Sequence, residues 1–521
     1  MGFGVQSFSF GQTRFLESKA LALGKSQMSH FLRLTTLALI WRKLDQGWQF
    51  LREHRQRNKQ YQQLAFHWPS RLEDFWLRLL PPRCYRHFII NMIVGLSVVL
   101  LIFIFQNKPF LAGIEDEGLD ELMFLHQKRI PSLENKNIPP FVFLDIDDKT
   151  YETWGAPLFT PRNHLLNLME IALQAEARLI IVDIDLSREM PMEGLEHSSP
   201  RHPYDQALYH YIENYAAACS CQKNISQKTC PPMILTRAIS SEPIPMIRPS
   251  FLDKAVEHST PYVQWASTAF HRNYYDRMVR HWWLWQSACT AQRQPTVIPS
   301  MQLLAATLIR NGISQQDNFE KTLQSFQPQN CEDTSTTKAL PNQIQIGDFT
   351  NSTGFFGIKQ RVMFSMPWIT QEKPPKVELH DQAQQVAMRI VSAQHYDNPL
   401  FAQQLAGSIV VIGGSYQEGH DIHWTPLEEM PGTLIIINAI HTLLEYGELQ
   451  PLPMAVKILT YLILVVLMSF ILARFGYSRG TFILALFVIF ILIPSSILLF
   501  RFGIWLDFML PLAVVMHLLP L

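Results

Sequence analysis

The chain has 521 residues, with 44 Lys and Arg against 44 Asp and Glu. That length admits two or more ordinary domains, and the balance excludes attraction to nucleic acid by net charge alone. The charge is unevenly placed, since residues 1–87 hold 14 Lys or Arg and 5 Asp or Glu, and a basic excess beside an apolar run marks the flank retained in the cytoplasm.

In the basic region, Arg71 to Leu80 reads as a short amphipathic helix that Pro81 and Pro82 stop. Its Trp76 and arginines suit a membrane surface. Phe88 to Phe105 follows as eighteen residues without a charge. At about 1.5 Å per residue this nearly spans a hydrocarbon core of roughly 30 Å, and it lies too far into the chain for a cleaved signal peptide.

Beyond it, Pro139 and Pro140 precede an apolar run that opens into acids, Phe141 to Asp148, the pattern of a buried strand ending at a loop or mouth. Asn163 to Ala177 has helical spacing, and Arg178 to Asp185 is a second buried strand. Strand, helix, strand predicts a βαβ unit and a mostly parallel or mixed sheet. Residues 190–405 are less regular, with strands expected between long loops and a surface excursion at 313–345. Ser408 to Gly413 is strand-like again, a polar Gly-rich turn runs through Thr425 and Pro426, and Gly432 to Leu444 predicts a helix.

Three apolar runs close the chain: Val456 to Phe475, Thr481 to Phe500 and Ile504 to Leu521. Arg474 and Arg479 in the first turn favour a cytoplasmic position for it. With four crossings, both termini are expected in the cytoplasm and residues 107–454 outside, in a multi-pass protein of a bacterial inner membrane with a periplasmic centre. Five of the six cysteines, Cys219, Cys221, Cys230, Cys289 and Cys331, then fall where disulfides persist. Cys219 and Cys221 are too close for an easy mutual bridge, which leaves Cys230 or Cys289 as candidate partners for each.

Candidate site residues come from the strand ends and the late turn. Asp145, Asp147 and Asp148 end the first strand, and Asp183 and Asp185 end the second. Parallel strands bring such ends to one side, where open α/β sheets hold ligands. Carboxylates gathered there raise each other's proton affinity unless a cation compensates, and Arg162 and Arg178 are available. His420, Asp421 and His423 form a candidate metal-binding set; the competing reading makes Asp421 a turn residue, with Thr425 and Pro426 fixing the exit. The start Leu144-Asp145-Ile146-Asp147-Asp148-Lys149 resembles the haloacid-dehalogenase-like phosphatases, but Lys149 departs from their pattern and the later motifs do not follow in order.

Taken together, Asp145-Ile146-Asp147, Trp154-Gly155-Ala156-Pro157, Pro161-Arg162, Ile181-Val182-Asp183, Asp276 with Val279-Arg280, Pro299-Ser300, Ile412-Gly413, Asp421 with Thr425-Pro426, Pro431-Gly432 and Asn438-Ala439-Ile440 resemble the type 2 CHASE domain. The resemblance covers roughly residues 111–450. It implies an α/β extracytoplasmic sensor with one helix before and three after, serving a cytoplasmic cyclase or kinase. Output domains of that family follow the last helix, whereas this sequence stops at Leu521. A signal is therefore expected to leave through the helices or the basic tail.

The expected function is a non-enzymatic sensor without a cofactor, whose partners are membrane lipid, a separate cytoplasmic signalling protein and a second copy in a homodimer, with no nucleic acid. Asp145, Asp147, Asp148, Trp154, Asp183, Asp185, Asp421 and Thr425 are expected to line or support the site, with Arg162 and Arg280 offsetting their charge. The alternatives are a scaffold of a cell-envelope complex and an extracytoplasmic phosphatase.

Overall fold

The computed structural model describes residues 82–105, 116–121, 123–124, 138–192, 201–217, 230–240, 244–268, 270–273, 276–331, 343–346, 349–352, 360–371, 376–396, 398–445, 450–451, 454–500 and 504–505. The expected amphipathic helix at 71–80 and the bulk of the fourth span lie outside them.

The first half contains α1 (Pro82–Phe105), β1 (Phe141–Ile146), α2 (Asp148–Thr153), α3 (Arg162–Gln174), β2 (Leu179–Val182), α4 (Pro203–Glu213), β3 (Met233–Thr236), β4 (Ile239–Ser240), β5 (Met246–Ile247) and α5 (Asp253–Ser259). Next come β6 (Val263–Ala266), β7 (Phe270–Arg272), β8 (Val279–Trp282), β9 (Trp285–Cys289), β10 (Pro295–Pro299), α6 (Met301–Asn311), α7 (Gln316–Gln324), β11 (Gln343–Ile346), β12 (Phe349–Ser352) and β13 (Gln360–Arg361). The last part holds β14 (Glu378–His380), β15 (Val386–Ser392), α8 (Pro399–Leu405), β16 (Ile409–Gly414), β17 (Ile422–Thr425), β18 (Glu428–Pro431), α9 (Gly432–Glu445), β19 (Gln450–Pro451), α10 (Met454–Phe487), α11 (Ile493–Phe500) and β20 (Ile504–Trp505).

Seven strands form the central sheet in the order β14-β15-β1-β16-β2-β3-β6, parallel except for the edge strand β14. The apolar runs need such a sheet because both faces are covered. Val142, Leu144, Ile180, Val182, Val410 and Ile412 pack with residues of α3, α4, α5 and α8, while Phe141, Phe143, Leu179, Ile181, Ile409 and Val411 pack with those of α6 and α9. Strand alternation sends neighbouring side chains to opposite layers, and an uninterrupted apolar run satisfies both.

The strand, helix and strand read at 141–185 exist, but β1 and β2 are not neighbours. Strand β16, from more than 220 residues further on, lies between them and pairs with both. This insertion sets the geometry of the strand-end acids. Asp145 is level with Gly413 in the β1–β16 register, and Val182 is level with Ile412 in the next. Asp145, Gly413 and Asp183 thus form a row across three strands, with the acids two strand spacings apart, about 10 Å. Strand parity turns all three towards the layer that holds α9. A Cβ at Gly413 would run into Thr433 Oγ1, so glycine is what lets the start of α9 approach the sheet.

Among the described residues, three helical stretches are long and apolar enough to cross a membrane: Cys84–Leu101, Ala455–Phe475 and Tyr477–Ser495. The third begins earlier than the Thr481 read from sequence, because the chain reverses at Gly476, whose φ of 73° suits glycine. Before Pro494 the helix widens into a π turn, Val488–Leu492; a proline lacks the amide and crowds the carbonyl four residues back, and a π turn accommodates both. Helix α1 packs on the first part of α10, where a Cβ at Gly95 would meet Val465 Cγ1 at 2.7 Å and the rings of Phe103 and Tyr461 lie 5.5 Å apart. The expected fourth helix does not start at Ile504, since Ile504–Trp505 is extended and pairs in parallel with Gln450–Pro451.

Candidate functional site

Asp183 lies at the floor of a cleft of about 210 Å³. Its walls are Thr268, with Phe270 and Arg272 from β7, Val279 from β8, Asp421, His423 from β17, and Gly432, Ile435 and Ile436 from the first turns of α9. Thr433 Oγ1 donates to Asp183 Oδ2 at 2.8 Å, and Thr236 Oγ1 approaches Oδ1 at 3.5 Å. Burial pushes the Asp183 carboxyl well above the usual carboxylate range, and the charge of Asp421 pushes it further.

At the rim, Arg272 Nη2 donates to His423 Nδ1 at 2.7 Å, and His423 Nε2 lies 2.8 Å from Asp421 Oδ1. An arginine always donates, so Nδ1 accepts and Nε2 carries the proton given to Asp421. Arg272 and Asp421 are thereby joined through one imidazole.

Asp145 sits at the other end of the row and is not a wall of the cleft. Ser415 Oγ donates to its Oδ2 at 2.8 Å, while Oδ1 is buried without a hydrogen bond. Burial pushes its pKa to about 7, with the charge of Asp147 adding. Asp147 caps α2, accepting from the amide and hydroxyl of Thr150 at 2.8 and 2.6 Å. Asp148 accepts from Gln417 N–H at 2.8 Å, and Asp185 from Ser187 N–H at 2.8 Å. The phosphatase arrangement, with both of its first acids facing substrate, is not met, because Asp145 is held beneath Ser415 and Asp147 is spent on a helix start.

Both arginines expected to offset the acids have their bonded partners elsewhere, although the charge of Asp185 still acts on Arg162. Arg162 is 1% exposed and pairs with Asp205, which is 0% exposed, at 3.3 Å; it also donates to the carbonyl of Arg188 at 3.0 Å. Arg280 pairs with Asp120 at 2.8 Å and Asp276 at 2.7 Å. Trp154 stacks on His164 of α3 at 4.7 Å and braces the turn after α2. Thr425 accepts from Leu427 N–H at 3.2 Å and donates to the Glu428 carbonyl at 2.7 Å, fixing the β17–β18 hairpin. His420 is exposed, and among the described residues no three His, Cys, Asp or Glu side chains gather as a metal would require.

Cys289 is bonded to Cys331, across 42 residues, rather than to Cys219 or Cys221. Cys230 is also disulfide-bonded, and its partner lies outside the described residues, as do Cys219 and Cys221.

Two further constellations escaped the sequence reading. The first is a clasp on α9. Asn438 Oδ1 accepts from the amides of Ser365 and Met366 at 3.0 Å each, its Nδ2 donates to the Met366 carbonyl at 3.0 Å, and Thr442 Oγ1 bonds both N and O of Met363 at 3.1 Å. The second begins two residues before the clasped segment. Arg361 is 7% exposed and binds Asp116 and Asp120, on the helical stretch 116–121 that follows α1, and Arg280 joins the same group. A lone Asn in an apolar helix is a signal for a buried network, but the segment it holds has no such mark.

The CHASE2 domain model matches residues 96–473, and no curated protein or solved structure gives a significant match. The match runs from within α1 to within α10 and takes in the central sheet, the cleft and the clasp. The chain therefore belongs to the CHASE2 domain family, a family of extracellular sensor domains.

Proposed function

We propose that the protein is a membrane-held sensor in which residues 107–454 lie outside the cytoplasm, the Asp183 cleft takes the stimulus, and the membrane helices relay its occupancy to a separate cytoplasmic protein. Four crossings, with both termini in the cytoplasm of a bacterial cell, complete this reading, and the acid row performs no catalysis. Its support is one continuous chain of contacts. Helix α9 starts in the cleft wall at Gly432, Ile435 and Ile436, grips 363–366 through Asn438 and Thr442, and so fixes Arg361 against the stretch that follows α1. On the other wall, Val279 of β8 lines the cleft and the next residue, Arg280, holds Asp120.

A ligand shifts such a system only by the difference in its affinity for two arrangements, and a few kcal/mol suffice. The first span is the natural receiver, because α1 and α10 touch tightly at Gly95 and Val465. Cysteines placed at 95 and 465, in a Cys84→Ser background, report that contact by their oxidation rate in native membranes. Asp183→Asn is expected to change the rate at least threefold, and Thr442→Val, which loosens the clasp, to abolish that response. Equal rates in all variants, with the protein folded, would sink the relay.

A further inference from the structure

The charge arrangement of the cleft specifies a ligand chemistry, provided the cleft is the ligand site proposed above. Arg272 and Asp421 are opposite charges bridged by His423 at 2.7 and 2.8 Å, so each already has a bonded partner. Asp183 has no such counterpart. Its one close hydrogen bond comes from the Thr433 hydroxyl, since Thr236 Oγ1 donates at 2.9 Å to the Val182 carbonyl; among the described residues no Lys, Arg or His forms an ion pair with it, although the charge of His423 lowers its pKa and that of Asp421 raises it. A half-buried carboxylate with one close hydroxyl donor remains costly, and a cation is what offsets it.

The apolar part of the lining is carried by the half-buried ring of Phe270, while Val279, Ile435 and Ile436 are almost wholly buried. A metal ion would use none of that lining and would find no three gathered ligands among the described residues. An anion would face Asp183 directly. The volume of about 210 Å³ exceeds the roughly 150 Å³ that holds benzene in an engineered cavity, so a molecule of about six to ten non-hydrogen atoms fits.

We infer that the cleft takes a small organic ammonium with an apolar body, its N–H groups on Asp183 and its hydrocarbon against the ring of Phe270. An attached carboxylate, as in an apolar amino acid, would meet Arg272 at the rim. Where Asp183 is protonated, binding exchanges one proton for the cation: the carboxylic acid releases H⁺ to solvent, and the carboxylate that remains pairs with R–NH₃⁺. Affinity is therefore expected to weaken as the pH falls.

Three probes with similar hydrocarbon bodies separate the possibilities: isoamylamine, leucine and 4-methylpentanoate, titrated calorimetrically into the full-length protein in detergent. One or both amines are expected to bind and 4-methylpentanoate not to. Kd should rise about tenfold from pH 8 to pH 6, since the competent ionised fraction falls by about that factor when the group titrates near 7. Titrations in buffers of different ionisation enthalpy should show net proton release near pH 7. Asp183→Asn should weaken amine binding at least tenfold, and Phe270→Ala, which removes the apolar contact and leaves the carboxyl in place, should weaken it several-fold.

Binding of 4-methylpentanoate in place of the amines would overturn the ligand class and leave the cleft as the site. Amine binding untouched by both substitutions, or no binding of either amine, would overturn the inference outright. Amine binding without any change in the 95–465 oxidation rate would instead defeat the relay while upholding the ligand.

Discussion

Asp145 and Asp183 end two strands of one sheet, lie level on either side of Gly413 and face the same layer, yet only one of them reaches a cleft. Both carboxyls are pushed upward chiefly by burial. What separates them is the chain that passes over each. Above Asp145 the turn after β16 folds back and supplies Ser415, which closes the position. Above Asp183 the start of α9 supplies Thr433, and the short strands β7 and β8 stand off far enough to leave a cavity. Identical strand-end chemistry thus yields a sealed acid and an open one, and the loops decide which.

The largest expected effect that breaks this comparison is at Asp145. With its pKa raised to about 7 in the fold and about 4 in the unfolded chain, the folded protein holds a proton that the unfolded chain has released between those values. Its stability contribution therefore falls as pH rises through that window and stays low above it. Asp145→Asn removes the loss, so the variant is expected to be more stable than wild type at pH 8, by up to about 4 kcal/mol, and equal to it near pH 4. Denaturant midpoints at the two pH values read the difference. A variant weaker than wild type at pH 8 would mean that the ionised carboxylate has a cationic partner.

Next in size is the residue between the two acids. Gly413→Ala pushes Thr433 away from the sheet, and such overpacking costs about 1–3 kcal/mol. The shift should disturb amine binding at Asp183 and leave the pH dependence assigned to Asp145 unchanged. The smallest effect is expected from Thr433→Val, which removes one hydrogen bond from Asp183. It should cost about 1 kcal/mol at pH 8, vanish at low pH and raise the pH at which ligand affinity is lost. An equal loss at pH 4 would mark Thr433 as a packing residue only.

The acids at 145 and 183 were legible because an apolar run that breaks into Asp announces a buried strand and its open end. Their separation was not, because β16 enters between β1 and β2 from far along the chain and nothing local records that pairing. Strand β15, the other neighbour of β1, hid behind Arg389, whose charge is met by Glu378 on the edge strand at 2.7 Å. Arg272 and Phe270 escaped notice on a three-residue strand too short to show alternation. Arg162 read as a free cation because its partner, Asp205, lies 43 residues away on another helix. Asn438 and Thr442 stood out as polar residues in an apolar helix, but the backbone they hold at 363–366 is apolar in sequence and gives no sign of being held.

The most direct test is hydrogen exchange on the full-length protein in lipid nanodiscs, with and without saturating isoamylamine. The account predicts slowed exchange at the start of α9 together with changed exchange at 362–366 and 116–121, and loss of the two distant changes in Thr442→Val. Protection confined to the cleft walls, with 362–366 and 116–121 unaltered, would contradict it.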